Sequence, residues 1–273
     1  MKIKSPSMIT HGLVAPRKGR EERKDPKSQK QECHEEHEIG TASNSARPAN
    51  KPLTIMVSST VYGIEDMLNQ VYALLSGFGY EVWCSHKGTV KVYPNHTALE
   101  DCLEAVRRCD LFLSIITPHY GSGKVGGSLS FTHQELLKAI QLNKPRWILS
   151  HDHVPFARSL LRKLGGKTTA QRGQLLRKLG FTTRKKLRNL AAREGTVIDD
   201  FRVIDMYDAA IRHDIKVYQD RQGNWVQKFS SPADAKLFVT AQFMQYADVK
   251  LFLHDQFKDP SIVRQQTQDR RNR

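Results

Sequence analysis

From residue 52 onward, short apolar runs alternate with longer stretches in which apolar residues recur at helical spacing. Four runs have the length and composition of buried strands: LTIMVSS, YEVWCS, LFLSIIT and RWILSH. Ile64 to Phe78 and Phe131 to Leu142 show apolar positions every three or four residues, as amphipathic helices do. Because strands and helices alternate with short connections, the pattern predicts an α/β fold: a parallel sheet doubly wound by helices.

Capping residues predict where several helices begin. Thr97 and Glu100 form a capping-box signature ahead of a helix with an apolar stripe. Another amphipathic helix is predicted around Phe201 to Ile211. Two strand-like runs, IKVY and WVQKF, then flank the turn-prone DRQG, and the pair Ser231 and Pro232 predicts the start of a last helix that runs to about Phe257.

Composition divides the chain into segments. Residues 1–51 are rich in Lys, Glu, Ser and Pro and lack apolar periodicity, so we expect a disordered arm; 259–273 reads as a flexible tail. The α/β core is predicted over 52–154 and its C-terminal completion over 196–258. The 273 residues are 39% hydrophobic, which suffices for a buried core.

The intervening segment, 155–195, is strongly basic. It holds twelve Lys or Arg against one acid, in a chain of net charge +15. LLRKLG occurs twice and KKLRNL echoes it, which predicts three short basic helices. The candidate anion-binding or nucleic-acid-binding residues are Arg162, Lys163, Arg177, Lys178, Arg184, Lys185, Lys186 and Arg188. With Phe156 and Phe181 as the only aromatic residues of the segment, a solvated helical hairpin or a surface for an acidic protein partner explains the same pattern.

Other classes of protein are disfavoured. The longest uninterrupted apolar run has five residues, whereas about 20 are needed to cross a bilayer. The four cysteines do not form a dense disulfide framework, so we expect a cytoplasmic protein. Cys33, His34 and His37 are too few candidate ligands, in a segment predicted to be flexible, for a metal site.

Small polar residues follow two of the predicted strands. Ser58, Ser59, Thr60 and Tyr62 follow the first; Thr117, His119, Tyr120 and Gly121 follow the third. Ligands of open parallel sheets bind outside the carboxyl ends of the strands, so both sets are expected at one rim. Hydroxyls suit sugar and phosphate oxygens, Tyr can stack on a ring, and Gly permits close backbone approach. Ordinary caps and turns use the same residue types.

One acid is expected at this rim. Glu135 lies early in the helix that follows the third strand, where a carboxylate can stabilise positive charge on a ribose whose bond to a base is breaking. The alternative is structural, because Thr132 to Glu135 also reads as a capping box. His133 is a candidate to tune the ionisation of Glu135. Because the two side chains diverge on a helix, a surface or rim position is favoured for His133.

Four segments carry a family resemblance: IMVSSTVYG, GYEVW, CDLFLSIITPHYG and THQELLKA. They resemble the TIR-like (Toll/interleukin-1 receptor-like) superfamily and, within it, the branch called domain of unknown function 4062. The resemblance is good from Leu53 to about Ser150 and loose beyond. It implies a five-stranded flavodoxin-like sheet with IKVY as the fifth strand and 155–195 inserted before it.

The resemblance also implies an activity. Catalytic TIR-like domains split NAD at the nicotinamide–ribose bond with a glutamate of this helix, a role that would fall on Glu135. Ser58, Ser59 and Tyr120 would line the ribose and phosphates, with NAD as substrate and no cofactor. In this chain FTH stands where TIR domains often have a Trp-Cys pair. Other TIR-like domains are non-catalytic scaffolds that self-associate or bind proteins, and small stand-alone members resemble parts of bacterial antiphage defence or stress signalling.

Overall fold

The computed structural model describes residues 51–123, 129–178 and 198–257. The strands are β1 (Thr54–Ser59), β2 (Glu81–Trp83), β3 (Leu111–Ile116), β4 (Arg146–His151) and β5 (Val226–Phe229). The helices are α1 (Glu65–Gly77), α2 (Ala98–Arg108), α3 (Phe131–Gln141), α4 (His153–Lys163), α5 (Thr169–Lys178), α6 (Arg202–Ala210), α7 (Pro232–Phe243) and α8 (Tyr246–Phe257). None of the helices in these described ranges is long and apolar enough to span a bilayer.

The five strands form one parallel sheet in the order β2-β1-β3-β4-β5. This is the flavodoxin-like order, with its switch point between β1 and β3. The predicted fold class is confirmed. It follows from the alternation of strand and helix, since right-handed crossovers place α1 on one face of the sheet and α2 and α3 on the other.

Each face of the sheet has its own hydrophobic core. On one face, Met56, Phe112 and Ile148 pack against α2, α3, α4 and α6. On the other, Ile55, Leu113 and their neighbours pack against α1, α7 and α8. Side chains of a strand alternate between faces, so this split assigns every strand residue near the rim to one side of the sheet. Ser58 therefore shares a face with Met56, and Ser59 points to the opposite face.

The capping signals are confirmed. Thr97 and Glu100 form the predicted capping box of α2, and Ser231 caps α7 with Pro232 in its first turn.

The prediction of IKVY as the fifth strand is wrong. The edge strand is Val226–Phe229, and Ile215 to Tyr218 runs through bends into a short 3-10 turn. Phe229 is buried beside β4, whereas the side chains of Val217 and Tyr218 are exposed. Both runs have strand-like composition, and the burial of Phe229 in the core decides between them.

The single last helix is also wrong, because α7 ends at Phe243 and α8 begins at Tyr246. Two tyrosines stabilise the break. The Tyr80 hydroxyl donates to the Phe243 carbonyl at 3.1 Å, and the Tyr246 hydroxyl accepts the Leu53 amide at 2.8 Å. The change of direction lets Val249 pack in the second core.

Two of the three helices predicted in the basic segment are present as α4 and α5. The third, around KKLRNL, lies outside the described residues. So do residues 1–50, with Cys33, His34 and His37, and residues 258–273.

Candidate functional site

Ser58 and Glu135 meet at the carboxyl ends of β1 and β3. The Ser58 hydroxyl donates to Glu135 Oε2 at 2.5 Å, and both side chains are buried, with 1% and 5% of their surface exposed. Ser58 is the fifth residue of β1 and Glu135 the fifth of α3. The carboxyl group thus lies beneath the rim and not on open surface.

Glu135 does not cap its helix. The N-cap of α3 is Ser130, whose hydroxyl accepts the His133 amide at 3.3 Å. The capping-box alternative for Thr132 to Glu135 is therefore wrong, because the helix starts earlier and Glu135 falls in its second turn. Leu136 and Ala139 face the core beside it. Glu135 therefore takes no part in capping α3.

The surroundings of Glu135 favour its neutral form. Burial raises the pKa of this carboxyl, and hydrogen bonds from Ser58 and Cys102 lower it in part. Among the described residues, no Lys, Arg or His forms an ion pair with it. Burial and the nearby carboxyl in turn raise the pKa of the Cys102 thiol to about 12. A buried acid without a cation is costly for stability and is typical of functional sites.

A second hydroxyl lies next to this pair. Ser114 is the register partner of Ser58 on β3 and lies on the same face of the sheet. Its Oγ is buried and has no hydrogen-bond partner. An unsatisfied buried hydroxyl beside a buried carboxyl is unusual, because most buried polar groups are hydrogen-bonded.

Tyr120 and His133 form a separate buried pair. Tyr120 is fully buried, and its hydroxyl lies 2.7 Å from His133 Nδ1. The expected surface or rim position of His133 is wrong: the ring is 4% exposed, and burial lowers its pKa to about 4, so the ring is neutral at pH 7. Helix α6 packs against α3 and brings Asp205 and Arg202 near this ring, which the helical pattern could not reveal.

The start of α6 holds Tyr120 in place. Asp199 accepts the Tyr120 amide at 2.7 Å, and the Arg202 guanidinium lies 4.7 Å from the Tyr120 ring centroid. Arg202 is also paired with Asp200. In this structure the Tyr120 ring is covered by these contacts and offers no open face for stacking.

The remaining strand-end residues bring the segments after β1 and β3 together. Gly121 has a φ of +90°, and a Cβ there would lie 2.8 Å from Thr60 Oγ1, so only glycine fits this approach. The rings of Tyr62 and His119 pack edge to face at 5.4 Å, although Tyr62 is 72% exposed. Thr117 Oγ1 accepts the His119 amide at 3.2 Å, and the Ser59 hydroxyl donates to the Ile115 carbonyl at 3.0 Å.

The candidate anion-binding Lys and Arg residues differ in their exposure and contacts. Lys163, Arg177 and Lys178 are exposed. Arg162 lies 2.9 Å from His213 Nε2. Arg184, Lys185, Lys186 and Arg188 lie outside the described residues. Arg172 is not among the candidate anion-binding residues; it is buried and paired with Asp205 and Asp208.

Three residues that contact Glu135 or Tyr120 belong to no motif that would identify them from sequence. Cys102 reads as one member of the apolar stripe of α2, and Asp199 and Arg202 follow the basic segment without a motif. Among the described residues, neither Glu135 nor Ser58 lines any of three well-formed clefts. Among those residues, no group of His, Cys, Asp or Glu is arranged to hold a metal ion.

Comparisons with known proteins give a family. The profile of the family described as Domain of unknown function (DUF4062) matches residues 54–244. A solved 2-deoxyribosyltransferase from the psychrotolerant bacterium Bacillus psychrosaccharolyticus is similar over 36% of this chain and 72% of its own, at 20% identity and a TM-score of 0.25, too weak a likeness to support an argument. No protein with a curated description matches. Because the profile spans more than half of the chain, the protein belongs to the DUF4062 family.

Proposed function

We propose that this protein cleaves the N-glycosidic bond between nicotinamide and ribose in NAD, with Glu135 as the catalytic carboxylate. The observation that carries the proposal is the buried Glu135 carboxyl bonded to Ser58 at the carboxyl end of the sheet, where ligands of such sheets bind. The resemblance of this region to catalytic TIR-like domains supports the same assignment.

One carboxylate is sufficient for this chemistry. The nicotinamide of NAD is a cationic leaving group, so it departs with the bonding electron pair as a neutral molecule and needs no general acid. Ionised Glu135 then stabilises the oxocarbenium-like ribose. Water adds at C1′ and releases a proton. A low-polarity site strengthens this electrostatic effect.

Ser58 has a positioning role in this scheme. Its hydroxyl donates to Glu135 Oε2, which orients the carboxylate and favours its ionised form. Ser114 offers an unpaired hydroxyl on the same side for a substrate oxygen. Because Glu135 is 5% exposed, substrate binding requires the rim to open.

The proposal is tested by incubating the full chain with NAD and a panel of nucleosides and measuring free nicotinamide or base by chromatography. Wild type should release nicotinamide, and Glu135→Gln should not. The matched control is Glu104→Gln, which removes a carboxylate on α2 that bonds to Arg107 at the surface. Equal release by wild type and Glu135→Gln, or none by either, would reject the assignment.

A different observation favours a second candidate, a scaffold function through self-association. Around α7 and α8, four large apolar side chains are exposed: Leu237, Met244, Leu251 and Phe252. Contiguous exposed apolar patches are typical of protein contact surfaces, and the scaffold candidate requires these four side chains to form one. Sedimentation of wild type beside Leu237→Ser and Leu251→Ser tests it: a scaffold loses its oligomer in these variants and shows no NAD turnover.

A further inference from the structure

A cleft of about 350 Å³ lies beside the edge strand β5. Its lining residues are Trp147, Ile148, Trp225, Gln227, Phe238 and Gln242. Trp147 is the second residue of β4, and Trp225 directly precedes β5. The cleft therefore lies toward the amino ends of the parallel strands, whereas Ser58 and Glu135 lie at the carboxyl ends.

The cleft is aromatic, and its two indoles differ in their surroundings. The Trp147 ring packs on Phe243 with centroids 5.0 Å apart, so it is anchored in the core. Trp225 is 74% exposed. Tryptophan is usually well buried, and an exposed indole at the mouth of a concavity presents a flat face on which a planar ring can stack.

Two side-chain amides supply polar groups at the same place. Trp147 Nε1 donates to Gln242 Oε1 at 3.2 Å, and Gln227 Nε2 donates to the Lys228 carbonyl at 3.1 Å. Among the described residues, the side-chain N–H groups of Gln242 and the side-chain oxygen of Gln227 have no hydrogen-bond partner. One donor and one acceptor beside aromatic rings match the edge of a nucleobase, which carries both kinds of group.

The lack of charged side chains among the described lining residues limits the chemical class of ligand that the cleft can bind. Of the described residues that line the cleft, none is Lys, Arg, Asp or Glu, so a phosphate or carboxylate bound inside it would lack a counter-charge. The volume is at the small end of the range for ligand sites. We propose that this cleft is a second binding site that accepts a neutral nucleobase or nucleoside, stacked on Trp225 and hydrogen-bonded to Gln227 and Gln242.

The experiment is isothermal titration calorimetry of the full chain with adenosine, guanosine, cytidine and uridine, with ribose as the ligand control. At least one nucleoside should bind saturably below about 1 mM, and ribose should not. Trp225→Ala should weaken that binding about tenfold, the loss expected for a stacked base. Gln242→Leu should reduce the preference among bases. Trp83→Phe, at the opposite edge of the sheet, is the matched control.

The titration is repeated in Glu135→Gln, which should bind the same nucleoside equally well. This separates the second site from the proposed catalytic site, because failure of NAD cleavage would leave the titration unaffected. Absence of saturable binding, unchanged affinity in Trp225→Ala, or equal binding of ribose would overturn the proposal.

Discussion

The Ser58 hydroxyl and the Glu135 carboxyl, 77 residues apart in sequence, are hydrogen-bonded at 2.5 Å beneath the rim of the sheet. The bond holds a buried acid that has no cationic partner among the described residues. Such an arrangement costs stability, since it opposes ionisation of the carboxyl. Proteins tolerate that cost at sites where activity requires a perturbed group.

The first prediction concerns stability. Because the pKa of Glu135 is raised in the folded state, that state binds the proton more tightly than the unfolded chain. The free energy of unfolding therefore falls as pH rises from the ordinary carboxyl pKa of 4.5 through the folded value. Glu135→Gln should be more stable than wild type at pH 7.5 by roughly 0.5–2 kcal/mol, and the gain should shrink toward pH 4.5, as measured by urea unfolding.

Glu104→Gln is the control for that series. Its carboxyl lies at the surface, where single substitutions change stability by less than about 0.5 kcal/mol. A Glu135→Gln variant that is less stable than wild type at pH 7.5 would show that the acid stabilises the fold.

The second prediction concerns pH and Ser58. The Ser58 hydroxyl stabilises ionised Glu135, so Ser58→Ala should raise the pKa of that carboxyl further. Cleavage requires the ionised form, which is present above the folded pKa. The rising limb of the pH–rate profile of NAD cleavage should therefore move to higher pH.

Ser59→Ala is the matched control. The Ser59 side chain lies on the opposite face of the sheet from Ser58, and its hydroxyl donates to the backbone carbonyls of Thr60 and Ile115. Its pH–rate profile should coincide with that of wild type. Equal shifts in both variants would contradict a specific role for Ser58.

The third prediction tests the contact between the two strand-end segments. Gly121→Ala must place a Cβ against Thr60 at a positive φ and should cost about 1–3 kcal/mol of unfolding free energy. Gly88→Ala, at a φ of +66° with nothing within 4 Å, shares the backbone strain but not the clash. Thermal unfolding should show the larger loss for Gly121→Ala, and an equal loss would remove the argument for close approach.

The fourth prediction separates structural from surface charges in the basic segment. Arg172→Ala removes the charged partner of Asp205, whereas Asp208 keeps Arg158, and should cost about 1–3 kcal/mol in urea unfolding. The exposed Arg177→Ala should change stability by less than about 0.5 kcal/mol. Similar small effects of both substitutions would contradict the buried position of Arg172.

The sheet and its strand-end residues could be predicted from sequence because they depend on periodicity and on the chirality of crossovers. The choice between IKVY and WVQKF could not, since it rests on the fit of Phe229 in the core. The side chains that surround Glu135 could not be predicted from sequence either. Cys102 has the spacing of a core residue, and the burial of His133 depends on α6, which follows more than sixty residues later.

The decisive measurement of the catalytic role of Glu135 is the release of nicotinamide from NAD by wild type, Glu135→Gln and Glu104→Gln, with each variant shown to be folded by its unfolding curve. We expect Glu104→Gln to cleave NAD at the wild-type rate and fully folded Glu135→Gln to be slower by about 100-fold or more. Folded Glu135→Gln protein that releases nicotinamide as fast as wild type would contradict that role.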